Sequence, residues 1–291
     1  MPHPDAVISI QNLRKTFQNA GGEPVTVLHD VTFDVHRGET IVIMGGSGCG
    51  KSTLLNCLIG ELPVNHGHIR FKTKDMREAV DIVGLDDRRM NEIRKRFGIL
   101  FQSGALFNSM TLADNIALPL IEHSQVDPSV VDIVVTLKLQ TVHMLPHRDK
   151  MPSQLSGGQK KRAGLARATV LDPEILFYDE PSAGLDPVTS AAIDELIMDL
   201  SKKLNVTSVV VTHEMDSAFR IADRMVMLDR GKVLKIGSRS EFEELRTAPA
   251  DRLTTREDRL MNQFLNGHTN GPLTDSEGLS EYEKLLVAGE E

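Results

Sequence analysis

Short apolar runs alternate along the chain with stretches in which apolar residues recur at helical spacing. Residues 6–10 read as a short strand, and 31–35 alternate apolar and polar positions as a half-buried strand does. Between them, Asn19-Ala20-Gly21-Gly22-Glu23-Pro24 is a turn cluster. A second turn, His36-Arg37-Gly38-Glu39, leads into Thr40-Ile41-Val42-Ile43-Met44. That nearly unbroken apolar run suits a strand buried on both faces of a parallel sheet. A helix is expected over 51–60, with Leu54, Leu55 and Leu58 on one face, and further strands over 69–71 and 97–101.

From 102 to about 164 the pattern turns helical, with its clearest apolar stripe over 130–139, and Pro119, Pro128, Pro146 and Pro152 are expected to break it into short pieces. Strand and helix then alternate again: Ile175-Leu176-Phe177-Tyr178, a helix near 188–204, and Val209-Val210-Val211. Residues 224–228 and 232–236 flank Asp229-Arg230-Gly231, a hairpin turn. The pattern is that of an α/β lobe interrupted by a helical one. After Arg246 the character changes: 247–251 reads as a linker, 256–265 as a short helix and 268–278 as a disordered polar stretch. A small apolar patch amid acids, 281–286, ends the chain as a solvated tail.

The 291 residues suffice for one large domain or two lobes. Charged residues make up 25% and the net charge is −8, so no strong basic field points to nucleic acid as the main partner. Cys49 and Cys57 form no disulfide framework, which fits a reducing compartment. Met1-Pro2-His3-Pro4-Asp5 lacks the basic start and apolar stretch of a signal peptide. No apolar run approaches the ~20 residues that cross a bilayer.

The chemistry is concentrated in a few places. Gly45-Gly46-Ser47-Gly48-Cys49-Gly50-Lys51-Ser52-Thr53 holds the G-x-x-x-x-G-K-[ST] pattern directly after a buried strand, the context that confirms a phosphate loop. Its glycines let backbone N–H groups converge on phosphate oxygens at a helix N-terminus. Lys51 would reach the β- and γ-phosphates, and the Ser52 hydroxyl would ligate Mg²⁺. Asp179 closes the later apolar strand where a metal-side carboxylate belongs, and Glu180, pointing the other way, faces an attacking water. Leu155-Ser156-Gly157-Gly158-Gln159 lies between the two motifs and precedes a helix expected to begin near Lys160.

Phosphate loop, Leu-Ser-Gly-Gly-Gln and an apolar strand ending in Asp-Glu, in that order, resemble the ATP-binding subunit of an ABC transporter over residues 8–237. The resemblance implies a P-loop NTPase RecA-like core with an antiparallel β subdomain and an inserted α-helical subdomain. On that pattern 5–246 is the ATPase domain, its helical insert about 102–164, and 247–291 is a partly disordered extension. ATP and Mg²⁺ are the implied ligands. The nucleotide-binding positions are Gly45 to Thr53 together with Phe17, whose ring would stack on adenine. Gln102 becomes the hinge glutamine that contacts Mg²⁺ and water beside Ser52 and Asp179. His213 is placed near the γ-phosphate, with Glu180 polarising the water. Ser156, Gly157, Gly158 and Gln159 would cap the nucleotide of a facing copy, so two composite sites form in an ATP-sandwich homodimer. Asp186, in Ser182-Ala183-Gly184-Leu185-Asp186, belongs to the loop bridging those sites.

After Gln102 the chain reads Ser103-Gly104-Ala105-Leu106-Phe107, then Asn115-Ile116-Ala117-Leu118-Pro119-Leu120. This looks like the Mla- and Mce-type ATPases of bacterial lipid transport, as do Arg94-Lys95-Arg96-Phe97 and Gln263-Phe264-Leu265-Asn266-Gly267. The implied partners are membrane-embedded permeases, a lipid-binding Mce-type subunit and a small regulatory subunit, at the cytoplasmic face of the inner membrane. Leu106 and Phe107 are expected at the groove that receives a permease coupling helix. Two other readings stay open: an ABC ATPase for a polar solute or ion, distinguished by the copurifying permease, and a soluble ABC ATPase acting on ribosomes or DNA. The second usually carries two fused ATPase halves or coiled-coil insertions, and neither is present in the sequence.

Overall fold

The computed structural model describes residues 5–74 and 76–274. It opens with two antiparallel strands, β1 (Ala6–Gln18) and β2 (Pro24–His36). Both run past the limits that alternation predicts, because bulges absorb the polar residues that looked like strand ends. At one of them Asn12 takes a left-handed φ of 48° and its N–H donates to Thr32 Oγ1 at 2.8 Å. Then follow β3 (Thr40–Gly45), α1 (Lys51–Leu58), β4 (His66–Phe71), β5 (Val80–Asp81), α2 (Asp87–Arg94) and β6 (Phe97–Leu100). Strands β2, β1, β4 and β5 make one antiparallel sheet in that order.

Three helices come next: α3 (Leu112–His123), α4 (Pro128–Thr141) and α5 (Gly157–Ala168). Pro119 does not break α3 as expected but sits inside it. Pro128 instead starts α4 at the first turn, where a missing N–H costs nothing. Helix α5 begins at Gly157 rather than near Lys160, because Ser156 and Gln159 form a reciprocal cap: Ser156 N–H donates to Gln159 Oε1 at 3.0 Å and Gln159 N–H to Ser156 Oγ at 3.3 Å. It also continues through Gly164, where any Cβ would strike Leu100 Cδ1 at 2.7 Å; the glycine lets α5 lie against β6.

The remainder alternates: β7 (Ile175–Asp179), α6 (Pro187–Leu204), β8 (Thr207–Val211), α7 (Met215–Ile221), β9 (Arg224–Asp229) and β10 (Lys232–Ser238). The second sheet runs β10-β9-β3-β8-β7-β6, parallel except for the β9–β10 hairpin. Alternate residues of its strands feed two cores. Ile41, Ile43, Phe177, Val209 and Val211 face α1 and the antiparallel sheet, while Val42, Met44, Leu176, Tyr178 and Val210 face the other helices. All are essentially inaccessible, each contributing about 1.5–3 kcal/mol by burial.

Helices α8 (Arg239–Thr247) and α9 (Arg256–Asn266) finish the described chain, with Phe242, Met261 and Leu265 in the second core. Residues 268–274, expected to be without order, are tied to α9 by the buried Gln263 side chain. Its amide donates to His268 O at 3.1 Å and Thr274 Oγ1 at 3.2 Å, and its carbonyl accepts from Leu273 N–H at 2.8 Å. The expected disorder over 275–278 and the apolar patch at 281–286 lie outside the described residues.

Candidate functional site

Strand β3 delivers the chain into the phosphate loop and α1 takes it out, with Gly50 at the helix N-cap. Gly45 has φ 151°, and a Cβ there would run into the Leu228 carbonyl of β9, so only glycine lets the loop leave the sheet this closely. Lys51 is folded back over the loop, its Nζ donating to Gly45 O at 2.7 Å and Gly46 O at 3.0 Å. Cys49 is buried behind the loop, where desolvation raises its thiol pKa.

Gly45, Gly46, Ser47, Gly48, Gly50, Lys51, Ser52 and Thr53 line an open cleft of about 640 Å³. Gln102, just after β6, Asp179, Glu180 and His213 line it too, together with Val27 and Phe264. Phe17 is not among the lining residues; its ring is 37% exposed and lies 4.8 Å from Lys15 Nζ.

Asp179 ends β7, and its Oδ1 is buried with no hydrogen-bond partner among the described residues. Burial, then the neighbouring Glu180, raises its pKa, against the pull of Lys161 and Lys51. A buried carboxylate oxygen without a donor, in the same cleft as the Ser52 hydroxyl, is a donor set that suits a hard divalent cation such as Mg²⁺. Glu180 follows with a left-handed φ of 48°. Its N–H donates to Val211 O at 2.9 Å, and His213 Nδ1 donates to its Oε1 at 2.8 Å. The parallel pairing of β7 with β8 brings these two together, 33 residues apart in sequence.

The signature residues do not line the cleft of their own chain. Ser156 and Gly157 are exposed, and Gly157 lies against Leu185 of the loop before α6. Asp186 caps α6, accepting from Val188 N–H at 3.1 Å and Thr189 N–H at 3.0 Å; hydrogen bonding from the Thr189 side chain first, then from these N–H groups, lowers its pKa. Of the apolar pair after Gln102, Leu106 packs on the core and Phe107 is 51% exposed. The buried Asn115 pins that segment: its Oδ1 accepts from Phe107 N–H at 2.7 Å and its amide donates to Phe107 O and Thr111 O.

Sequence reasoning missed a buried chain behind this site. Ser182 Oγ donates to Ser217 Oγ at 3.4 Å, Ser217 Oγ to Asp194 Oδ1 at 2.6 Å, and Arg220 Nη1 to Asp194 Oδ2 at 2.6 Å. It ties the loop after Glu180 to α6 and α7. Only the apolar neighbours of Asp194 in the α6 pattern hinted that this carboxylate points inward.

The chain matches the family model described as ABC transporter over residues 28–183. It is 39% identical to the probable ribonucleotide transport ATP-binding protein mkl of Mycobacterium leprae, covering 97% of this chain and 76% of that one. It is 36% identical to the intermembrane phospholipid transport system ATP-binding protein MlaF of Haemophilus influenzae, covering 96% and 98%. A solved dimeric ATP-binding cassette in a post-hydrolysis state bound to ADP and Pi superposes with a TM-score of 0.71 at 29% identity, covering 79% of this chain and 98% of that one.

Proposed function

This chain belongs to the ABC transporter ATP-binding family, and from that premise we propose that it is the motor of a lipid, specifically phospholipid, transporter at the cytoplasmic face of the bacterial inner membrane. It hydrolyses ATP as a dimer working with membrane permeases. No described helix is long and apolar enough to cross a membrane. The observation that carries the lipid reading is the likeness to the phospholipid transport ATP-binding protein over almost the whole of both chains. A lipid-binding Mce-type subunit and a small regulatory subunit complete the proposed assembly. Residues 5–246 are read as the ATPase domain, with the helical insert at about 102–164, and 247–291 as its extension.

In this reading the phosphate loop, Gly45 to Thr53, cradles the phosphates, Lys51 offers them its charge and Phe17 stacks on the base. Ser52, Asp179 and Gln102 would hold Mg²⁺, which supplies charge neutralisation on the phosphates. Glu180 orients the attacking water, with His213 holding its carboxylate and reaching toward the γ-phosphate. Closure follows from preferential binding of ATP to the closed dimer, which is all that can shift such an equilibrium. Ser156, Gly157, Gly158 and Gln159 act on the partner's nucleotide, and Asp186 sits in the loop that bridges the sites. That the signature lies outside its own cleft supports a shared site. Ser156→Arg should therefore bind ATP in its own loop and fail to hydrolyse it; normal hydrolysis by that variant as a monomer would sink the sandwich.

Phe107, half-exposed and held by Asn115, is the proposed contact for the permease. Deleting the protein should alter lipid distribution or uptake and sensitise cells with an outer membrane to detergent. Phe107→Asp should reproduce the defect while the purified subunit still binds ATP. The likeness to a probable ribonucleotide transport protein favours a second reading, a polar-solute transporter. Loss of uptake of one polar solute with lipids unchanged would select it.

A further inference from the structure

Lys161 stands in α5, five residues beyond Ser156, and is only 4% exposed. Its Nζ donates to the main-chain carbonyl of Glu180 at 2.8 Å. None of the described ion pairs includes it, so its charge is buried against a peptide oxygen and balanced at longer range by Asp179, Glu180 and Glu214. Burying an ammonium this way is costly. Burial also lowers its pKa, against the opposing effect of those carboxylates. The neighbours Lys160 and Arg162 are not buried, so the sequence run Lys160-Lys161-Arg162 contains one cation set apart by its surroundings.

The residue it holds is itself constrained. Glu180 has φ 48°, a conformation a side chain other than glycine adopts only when its neighbours impose it. Its N–H is fixed by Val211 of β8, its carbonyl by Lys161 of α5, and its carboxylate by His213. The only other described donor to that carbonyl is the Ala183 N–H, at 3.3 Å.

We infer that Lys161 is a positioning residue: it holds the Glu180 backbone in the turn that aims its carboxylate, and it does so from the helix that Ser156 heads. The inference rests on the roles given above to Glu180 and to the signature. It supplies what those roles lack, a direct contact within one chain between the signature helix, which acts on the partner's nucleotide, and the backbone of the residue whose carboxylate acts on its own. A shift of α5 on closure is then felt at Glu180 without passing through the nucleotide.

Lys161→Met keeps the length and removes the donor; Lys161→Arg keeps a donor. With the full chain, Lys161→Met should lower kcat about 10- to 100-fold, the scale of a small misplacement of a catalytic group. Its ATP affinity, read with a fluorescent ATP analogue, should stay within about twofold of the original, and Lys161→Arg should restore most of kcat. A Lys161→Met kcat within about twofold of the original, beside an inactive Glu180→Gln, overturns the positioning role alone. Loss of ATP affinity in both lysine variants also overturns it, because that marks general damage. An active Glu180→Gln removes the reading on which the inference rests, whatever Lys161 does.

Discussion

Glu180→Gln should go on binding ATP while turnover falls about 10²- to 10³-fold, within the range expected when a positioned general base is lost. The phosphate loop keeps its own contacts, since Lys51 is held by Gly45 O and Gly46 O while Glu180 is held by Val211, Lys161 and His213. Glutamine keeps the shape and can still meet His213, whose Nδ1 lies 2.8 Å from Oε1, but carries no charge to orient water. With hydrolysis blocked, ATP should hold the closed state, so the variant should run as an ATP-dependent dimer on gel filtration. Phosphate release near the original rate would rule out this assignment.

Lys51→Ala should fail earlier, at binding. The lysine now donates to two loop carbonyls, at 2.7 and 3.0 Å, and is the one buried cation of the loop. A hydrogen bond to a charged group is worth about 1.5–3 kcal/mol, so ATP affinity should drop roughly 10- to 100-fold. No ATP-dependent dimer should form at concentrations that trap Glu180→Gln. An unchanged Kd in a nucleotide titration would sink the phosphate-loop reading. The two variants together separate binding from chemistry.

The parts of this protein legible in its sequence are those fixed by contacts between near neighbours. A phosphate loop needs glycines and a lysine at set spacing between a buried strand and a helix, and 45–53 state all of it. The runs at Ile41-Val42-Ile43 and Val209-Val210-Val211 require a sheet covered on both faces, and the two cores divide them residue by residue. Boundaries were less legible where compensation came from a distance. The first strands outran their alternation because bulges paired them with each other, and Pro119 entered a helix instead of ending it.

The assembled cleft belongs to the tertiary structure. Nothing local joins Glu180 to His213; the order β3-β8-β7 does, by setting the ends of adjacent strands side by side. The left-handed turn at Glu180, the unpartnered Asp179 Oδ1 and the chain from Ser182 to Asp194 arise in the same way. Lys161 is the clearest case. By composition it is one of three consecutive cations on a helix. Which of them is buried depends on where α5 meets the end of β7, and that meeting is set by packing between segments far apart in the chain, which no spacing along the sequence encodes.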